Sequence, residues 1–417
     1  MYCIASHLEV GVKKLVINGG VPLFGRVRVS GSKNAALPII FSSLALRGIS
    51  RIKGLADIGD VRVALDLIGC YGAKVKREGR DTLIDTTTLK YVSPPPELTS
   101  MLRASTYLMG ASLIRFGRAE LVNHGGCNFS ARPIDMHLDA LASHGAVIAG
   151  DVISGGRLVP SVVRFKKRSV GATVNALISA AGIEGESVIE GCALEPHIFV
   201  LVDYLRSAGA SISFVGDRAT VRGGELSGAE VSIPGDMIEA GSYVAASIAS
   251  GGRVQVQGFD RSELSSFIEA LGASGVSFED GEDVVAYGKP ARRFSVCAAP
   301  YPGFPTDLQP VVAPLMSFAG GCLKDEVWRE RFGYLDGLGA FGLRSRALGD
   351  MREVFPSELH PARAYAPDLR GGFAMLLAAL MADGESEIYN ADVILRGYEN
   401  ITEKLSGLGA EISLCEM

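Results

Sequence analysis

Apolar and polar positions along the chain repeat one pattern six times. In each copy, apolar residues at helical spacing lead to a Gly-Ala pair, and an alternating, strand-like run follows. The pairs lie 63 to 73 residues apart and begin at Gly72, Gly145, Gly209, Gly272, Gly339 and Gly409. The pattern predicts a helix that ends at each of these glycines in a left-handed cap, and then a strand.

A second helix accompanies each copy, built of small apolar residues and followed by glycine and a strand. The stretch 373–382, FAMLLAALMA, is the longest of these apolar runs. It is about half of the roughly 20 residues that a bilayer span needs, so it predicts a buried helix. Two helices and several strands per copy are typical of a compact α/β unit. Six units predict two similar domains of three repeats each, facing each other across a cleft.

Composition narrows the possible functions. The 417 residues include 41 basic and 46 acidic side chains, a balance that argues against nucleic acid as a partner. Seven scattered cysteines without a C-x-x-C pair argue against a disulfide framework and against a zinc site. They predict a reducing, cytoplasmic location. The six histidines lack metal-ligand spacing, so we expect no metal and no cofactor. The start of the sequence lacks a secretory signal pattern, and we expect a monomer with no membrane partner.

The segment GSKNAALP, residues 31–38, lies between a predicted strand and a buried helix. Ser32 can cap that helix, and the free N–H groups of a helix start favour an anion. Lys33 would be well placed there to bind a phosphate or a carboxylate. The alternative is a solvated turn residue, and the spacing excludes a Walker phosphate loop.

The segment GGCNFSARP, residues 125–133, has the composition of a loop and places Cys127 near Arg132. A thiol beside cationic groups acquires a lower pKa and becomes reactive. The alternative is a small apolar cysteine packed in a turn. The other six cysteines are predicted to be structural.

Asp307 follows a proline-rich bend and opens a buried helix. It serves either as a capping acid or as a general base within reach of a substrate hydroxyl. Arg103, Arg370 and Arg396 occur in similar positions, where the apolar pattern does not require a cation. Each alone could form a surface salt bridge, but together they indicate an anionic substrate.

Taken together, these segments closely resemble the UDP-N-acetylglucosamine enolpyruvyltransferase family, within the group that includes the shikimate-pathway enzyme. The resemblance runs from about Gly19 to the C-terminus. The matching stretches, in the family's order, are SGSKNAALP, LRAS, GGCNFSARPIDMHL, SVGAT, LEP, IEAGS, FPTDLQ, ERF, DLR and RGYE. The pattern GGC-x-x-x-ARP-x-D-x-H is specific to this branch.

The resemblance implies an inside-out α/β barrel of two similar domains, each with three βαβαββ-type repeats. The N-terminal segment would cross over to complete the C-terminal domain. We therefore expect a C-terminal domain of residues 1–32 plus 236–417. The N-terminal domain, 33–235, would carry the cysteine loop.

The resemblance also implies transfer of the enolpyruvyl group of phosphoenolpyruvate to a hydroxyl of a uridine nucleotide, with release of phosphate. Cys127 would protonate the methylene carbon or form a covalent adduct, and Asp307 would take the hydroxyl proton. The residues that would bind phosphoenolpyruvate are Lys33, Arg132 and Arg396, with Arg103 and Arg370 lining the cleft. The residues that would bind the nucleotide are Asn34, Arg132, Pro133, Ile134, Asp135, Met136, His137, Lys167, Ser169, Val170, Gly171, Thr306, Asp307 and Val327. The antibiotic fosfomycin should alkylate Cys127.

The sequence departs from the family's usual residues mainly in the C-terminal half. The altered positions are Met237, Tyr301, Trp328, Glu330 and Leu395. They leave three hypotheses. In the first, the acceptor is UDP-N-acetylglucosamine and the enzyme serves peptidoglycan synthesis. In the second, the acceptor is uridine monophosphate and the enzyme serves nucleoside-antibiotic synthesis. The third is a catalytically silent relative that binds a nucleotide.

Overall fold

The computed structural model describes residues 13–121, 125 and 133–417. These residues form helices that alternate with short strands along the whole chain. The helices are α1 Lys33–Ser42, α2 Gly59–Cys70, α3 Pro96–Thr99, α4 Leu108–Phe116, α5 Asp135–Ser143, α6 Val170–Gly182, α7 Pro196–Ser207, α8 Met237–Ser250, α9 Ser265–Ser274, α10 Gln309–Val312, α11 Tyr334–Gly339, α12 Leu369–Met381, α13 Asp392–Leu395 and α14 Ile401–Ser406. The strands are β1 Lys13–Gly19, β2 Phe24–Arg28, β3 Ile49–Lys53, β4 Lys74–Glu78, β5 Asp81–Asp85, β6 Arg118–Glu120, β7 Ala146–Ala149, β8 Val152–Gly155, β9 Val162–Arg164, β10 Gly185–Glu190, β11 Ser211–Val215, β12 Arg218–Gly223, β13 Glu230–Ser232, β14 Arg253–Gln257, β15 Ser277–Phe278, β16 Val284–Tyr287, β17 Phe294–Ala298, β18 Gly321–Asp325, β19 Ser345–Leu348, β20 Met351–Val354, β21 Arg363–Tyr365, β22 Gly384–Tyr389 and β23 Glu411–Glu416.

The chain forms two compact units. We call residues 30–236 with 300–302 the N-terminal unit, and residues 13–29, 237–299 and 303–417 the C-terminal unit. The sheets of the N-terminal unit have the strand orders β13-β3-β5-β4, β6-β8-β7 and β11-β12-β10-β9. Those of the C-terminal unit are β21-β22-β1-β23, β15-β16-β14-β2 and β17-β18-β20-β19. The predicted α/β class and its six small repeats are therefore confirmed over the described residues.

The first two strands take part in sheets built mainly from distant sequence. In β1, Leu15 pairs in antiparallel register with Ile388 of β22 and with Leu414 of β23. Strand β2 lies parallel to β14, with Val27 opposite Val256. The N-terminal segment thus contributes one strand to each of two sheets of the C-terminal unit.

The small-residue helices form the centre of each unit, as predicted. Every residue of α6 from Ala172 to Ala181 is buried, and so is every residue of α12 from Leu369 to Leu380. Neither helix has a polar face of its own, because other helices and sheets cover it on all sides. The sheets in contrast have exposed outer faces, as in β4, where every residue is exposed.

The predicted glycine caps are correct in four copies and wrong in two. The four correct glycines have positive φ angles of 92°, 91°, 119° and 104°, at Gly72, Gly145, Gly209 and Gly409. At Gly272 the helix continues to Ser274, and Gly275 adopts the left-handed conformation with φ 105°. At Gly339 the positive φ likewise falls three residues later, at Gly342. In both exceptions a second glycine three residues later, Gly275 or Gly342, takes the left-handed conformation instead.

No helix among the described residues is long and apolar enough to cross a membrane.

Candidate active site

Several predicted site residues of the N-terminal unit are the first residues of its helices. Lys33 and Asn34 begin α1, Asp135 begins α5 and Val170 begins α6. Unpaired N–H groups and the helix dipole make such ends favourable for anions. The placement therefore suits the phosphates of a nucleotide and of phosphoenolpyruvate.

Lys33 is held at the start of α1 by two acidic side chains. Its ammonium donates to Asp60 Oδ2 at 3.1 Å, with the two side chains 13% and 5% exposed. Its backbone N–H donates to Asp236 Oδ2 at 3.0 Å, and Ser32 caps the helix by accepting from Ala35 N. The alternative of a solvated turn residue is therefore wrong. Lys33 is a fixed and largely desolvated cation.

The predicted nucleotide segment brings α5 and α6 together. His137, which is 6% exposed, lies beside Gly171 and accepts at Nδ1 from Asn175 Nδ2 at 2.8 Å. Asn175 also donates to the Thr106 carbonyl and accepts from Gly110 N–H, which ties the starts of α4 and α6 to this histidine. The accepting Nδ1 leaves the proton on Nε2, so this tautomer presents an N–H donor at the other edge of the ring.

The rest of this segment differs in exposure. Met136 is buried in the core, whereas Pro133, Asp135 and Lys167 are exposed, and Ile134 is half-buried. Ser169 caps α6 by accepting from Ala172 N at 3.4 Å.

Arg103 begins the 3-10 turn Arg103–Tyr107 that precedes α4. Its side chain is half-buried, and this burial lowers the pKa of the guanidinium. A partly desolvated cation interacts more strongly with an anionic ligand than one in water.

Cys127 and Arg132 lie outside the described residues. The neighbouring Gly125 is described: its N–H donates to the Thr99 carbonyl at 3.0 Å. A side chain at position 125 would collide with the backbone of Ser100. The start of the cysteine segment thus passes against the turn that follows α3.

Asp307 is the centre of a charged cluster in the C-terminal unit. Its Oδ1 accepts from Arg331 Nη1 at 2.7 Å, and its Oδ2 lies 3.5 Å from Arg370 Nη2. The two arginine side chains are 4% and 2% exposed, and that of Asp307 is 27% exposed. A partly exposed carboxylate in this position can accept a hydrogen bond or a proton from a ligand.

A buried carboxylate, Asp325, joins the residue before Asp307 to the turn that follows β18. At the end of β18 it accepts from Thr306 Oγ1 at 2.6 Å and from the N–H groups of Val327 and Trp328 at 2.9 and 2.7 Å. Burial raises the pKa of Asp325, an effect that these hydrogen bonds and the Arg331 charge oppose. The predicted residues Thr306, Asp307 and Val327 are therefore brought together.

Arg370 lies in the first turn of α12 and is buried. Asp368 caps the helix by accepting from the N–H groups of Arg370 and Gly371 at 2.9 and 3.1 Å. The guanidinium of Arg370 lies 5.3 Å from the centre of the Tyr398 ring, a cation–π distance. Ser242 of α8 hydrogen bonds to the Tyr398 hydroxyl at 2.7 Å. Arg396, two residues earlier, is half-buried at the end of α13.

The residues that depart from those usual in the family differ in their burial and contacts. Met237 begins α8, and both it and Leu395 pack against the core of the C-terminal unit. The Tyr301 carbonyl accepts from Arg168 Nη1 at 3.4 Å within the N-terminal unit. Trp328 is half-buried in the turn that Asp325 holds, and Glu330 is exposed.

Sequence reasoning did not assign Asp60, Asp325 or Arg331 to the site. Each was indistinguishable from a surface charge, because burial of a charged side chain leaves no periodic signal in the sequence. The ERF stretch, which contains Arg331, was the one available indication. Among residues 13–121, 125 and 133–417, no group of three or more histidine, cysteine or acidic side chains could hold a metal ion.

Both units thus place fixed cations and acids at helix starts, an arrangement suited to transferring a group between anionic substrates. The family model described as EPSP synthase (3-phosphoshikimate 1-carboxyvinyltransferase) matches residues 17–405. The chain belongs to this family, and relatives of 37–39% identity are named UDP-N-acetylglucosamine 1-carboxyvinyltransferase.

Two of these relatives match the chain over nearly its whole length. UDP-N-acetylglucosamine 1-carboxyvinyltransferase 3 of Caldanaerobacter subterraneus is 38% identical, covering 96% of this chain and 99% of the relative. UDP-N-acetylglucosamine 1-carboxyvinyltransferase of Halothermothrix orenii is 39% identical, covering 96% of this chain and 99% of the relative. The predicted family resemblance is confirmed.

Solved structures with the same fold include two enolpyruvyltransferases. NikO from Streptomyces tendae superposes with a TM-score of 0.86 at 26% identity, covering 98% of this chain and 100% of NikO. EPSP synthase from Acinetobacter baumannii gives a TM-score of 0.72 at 18% identity, covering 97% and 100%. The predicted two-domain inside-out α/β fold is confirmed by these matches.

Proposed function

We propose that the chain transfers the enolpyruvyl group of phosphoenolpyruvate to a hydroxyl of UDP-N-acetylglucosamine, releasing phosphate, in the synthesis of peptidoglycan precursors. The observation that carries the proposal is the partly exposed carboxylate of Asp307 between two buried arginines. A general base of this kind is what removal of a hydroxyl proton requires. The names of relatives at 38 and 39% identity support this choice of substrates.

The reaction begins with addition across the double bond of phosphoenolpyruvate. Cys127 gives a proton to the methylene carbon, the acceptor oxygen bonds to the adjacent carbon, and the hydroxyl proton passes to Asp307. In the elimination that follows, the methyl carbon returns a proton to the thiolate and the bond to the phosphate oxygen breaks. The proton on Asp307 balances the one that phosphate gains on leaving.

The two anionic groups of the intermediate need fixed cations. We assign the binding of phosphoenolpyruvate to Lys33, Arg132 and Arg396, with Arg103 and Arg370 adding positive charge. The contact between Lys33 and Asp60 restrains the ammonium before substrate binds, so little conformational entropy remains to be lost. The uridine end of the acceptor belongs to the Arg132–His137 segment and to Lys167, Ser169, Val170 and Gly171. Asn34, Thr306 and Val327 would contact the sugar.

The test is phosphate release from phosphoenolpyruvate, with UDP-N-acetylglucosamine and uridine monophosphate offered separately. Release with the sugar nucleotide alone is expected. Cys127→Ser and Asp307→Ala should each abolish this release. If the wild type releases no phosphate with any tested acceptor, the proposal is contradicted and a catalytically silent nucleotide-binding relative is favoured.

A second candidate keeps the reaction and uses uridine monophosphate as the acceptor. The altered residues Met237, Tyr301, Trp328 and Leu395 favour it, because they are departures from the residues usual in the family that uses UDP-N-acetylglucosamine. Release with the monophosphate alone would select this function. A monomeric state and a cytoplasmic location complete the proposal, together with domains of residues 33–235 and of 1–32 plus 236–417.

A further inference from the structure

The side-chain amide of Asn175 bridges two backbone groups at the start of α4. Its Oδ1 accepts from Gly110 N–H at 2.8 Å, and its Nδ2 donates to the Thr106 carbonyl at 3.1 Å. Thr106 and Gly110 are four residues apart, the spacing at which a carbonyl and an N–H bond to each other in an α-helix. One amide therefore serves both groups where the 3-10 turn becomes α4.

These two backbone partners fix which way the amide of Asn175 faces. A backbone N–H can only donate and a carbonyl can only accept. Rotating the amide by half a turn would therefore set donor against donor at Gly110 and acceptor against acceptor at Thr106. Asn175 is 0% exposed, so water cannot compensate for such a mismatch. Its Nδ2 is thus held on the side of Thr106.

The same Nδ2 determines the protonation of a buried histidine. It lies 2.8 Å from Nδ1 of His137, whose residue is 6% exposed. Because Nδ2 can only donate, Nδ1 accepts and carries no proton. A proton on Nδ1 would face an N–H group and break this hydrogen bond, in a place where burial already disfavours an imidazolium. The ring is therefore neutral, with its proton on Nε2.

The Nε2 edge of this ring lies against the start of α6. A β-carbon at Gly171, the second residue of that helix, would be 2.8 Å from Nε2. The first N–H groups of a helix favour an anion, and this helix start belongs to the proposed nucleotide site. A proton on Nε2 adds a donor there, whereas the other neutral tautomer would turn a lone pair toward the anion.

We propose that Asn175 is a positioning residue for nucleotide binding, which fixes His137 as the neutral tautomer whose Nε2–H serves the phosphate oxygens of the uridine nucleotide. The identity of the ligand in this inference rests on the proposed function. The tautomer itself follows from the contacts of Asn175 with Gly110, Thr106 and His137.

The charged groups on the described elements around His137 do not favour its protonation. Helix α5 packs against α6, β7 and β9, and neither α6 nor β7 contains a charged residue. On β9, Arg164 is exposed and paired with Glu190. Arg103, in the turn before α4, disfavours a second cation, while Asp135 and Asp139 of α5 itself are exposed to solvent. The ring should therefore resist protonation below the ordinary histidine pKa of about 6.5.

The experiment reads the tautomer by nitrogen-15 NMR of protein labelled in its histidine rings, with His137→Gln to assign the signal. In the wild type we expect a proton on Nε2 and none on Nδ1 from about pH 6 to about pH 8. Asn175→Asp keeps the side-chain size and an acceptor for Gly110 but replaces the donor to Nδ1 with an oxygen, so Nδ1 should become protonated. Ser179→Ala is the matched control: Ser179 is buried in the same helix and its hydroxyl bonds only to the Asn175 carbonyl among the described contacts. The tautomer should be unchanged in this control.

Nucleotide binding should follow the tautomer. For Asn175→Asp we expect KM for UDP-N-acetylglucosamine to rise about 10-fold with KM for phosphoenolpyruvate unchanged, and calorimetry should show the same loss of nucleotide affinity. The Ser179→Ala control should bind like the wild type. If Asn175→Asp does not fold, Asn175→Ala replaces it: without the Nδ2 donor, both neutral tautomers of His137 should be populated.

A wild-type proton on Nδ1 would overturn the inference. So would a folded Asn175 variant that keeps the wild-type tautomer, or one whose tautomer changes while its nucleotide affinity does not. If the wild type released no phosphate from phosphoenolpyruvate, the proposed function would fail. The NMR signal and the calorimetric affinity for the nucleotide would still decide the role of Asn175.

Discussion

Gly171 lies so close to His137 that a β-carbon at position 171 would be 2.6 Å from Cε1 of the imidazole. Both residues belong to the segments assigned to the uridine end of the acceptor. The close approach fixes how the start of α6 meets the first turn of α5. A substitution at position 171 should therefore alter the proposed nucleotide site without changing the proposed catalytic residues.

Gly171→Ala should push the imidazole away and weaken the nucleotide site. We expect KM for the uridine nucleotide to rise about 10-fold with KM for phosphoenolpyruvate unchanged, and a stability loss of about 1 kcal/mol as overpacking exceeds the gain in helix propensity. Steady-state kinetics and thermal unfolding measure the two effects. The control is Gly69→Ala in α2, where nothing lies within 4 Å of the added carbon. Equal effects from both variants would show that the contact with His137 is irrelevant.

Lys33→Ala should damage the phosphoenolpyruvate site and leave Asp60 buried without its ammonium partner. We expect kcat/KM for phosphoenolpyruvate to fall at least 100-fold, because a fixed cation next to a developing charge contributes several kcal/mol to the transition state. Lys33→Arg should recover part of the loss. Lys74→Ala, at an exposed position of β4, is the matched control. Unchanged kinetics in Lys33→Ala would remove this residue from the proposed site.

Much of the fold was predictable because its signal is periodic. Helical spacing and small residues predicted the buried helices α6 and α12, and Gly72 and Gly409 act as the expected caps. The errors at Gly272 and Gly339 arose because a nearby second glycine can take the same conformation. Which of two glycines three residues apart does so depends on tertiary packing.

The site was harder to predict from its residues alone. Lys33 stands at a helix start and Asp307 two residues before one, which a sequence can reveal. Their partners Asp60 and Arg331, however, come from 27 and 24 residues away. Arg331 follows Arg329 and Glu330, both exposed, and reads as part of the same solvated charge cluster. Only the path of the chain after β18 turns this one arginine inward.

The Cys127 thiol is expected to be the site of alkylation by fosfomycin. Two described cysteines serve as internal controls: burial raises the pKa of Cys192 to about 12, and burial with the nearby Glu326 raises that of the exposed Cys297. Because the thiolate is the nucleophile, raised pKa values make both thiols poor targets at neutral pH. Peptide mass spectrometry after limited labelling should find the adduct on Cys127 and none after Cys127→Ser. A label on Cys297 instead would contradict the assignment.

Lys404 and Glu239 form a buried ion pair at 2.6 Å, with side chains 18% and 2% exposed, which joins α14 to α8. Lys404→Met should destabilise the protein by about 3 kcal/mol, because it leaves a buried carboxylate without its cation. Adding Glu239→Gln should restore most of that loss. Arg222→Met, which breaks the exposed pair with Glu186, is the control and should cost less than about 1 kcal/mol. Denaturant unfolding of Lys404→Met, Glu239→Gln and the double variant gives the coupling free energy. A double variant no more stable than Lys404→Met would mean that the ammonium contributes by packing, not by compensating Glu239.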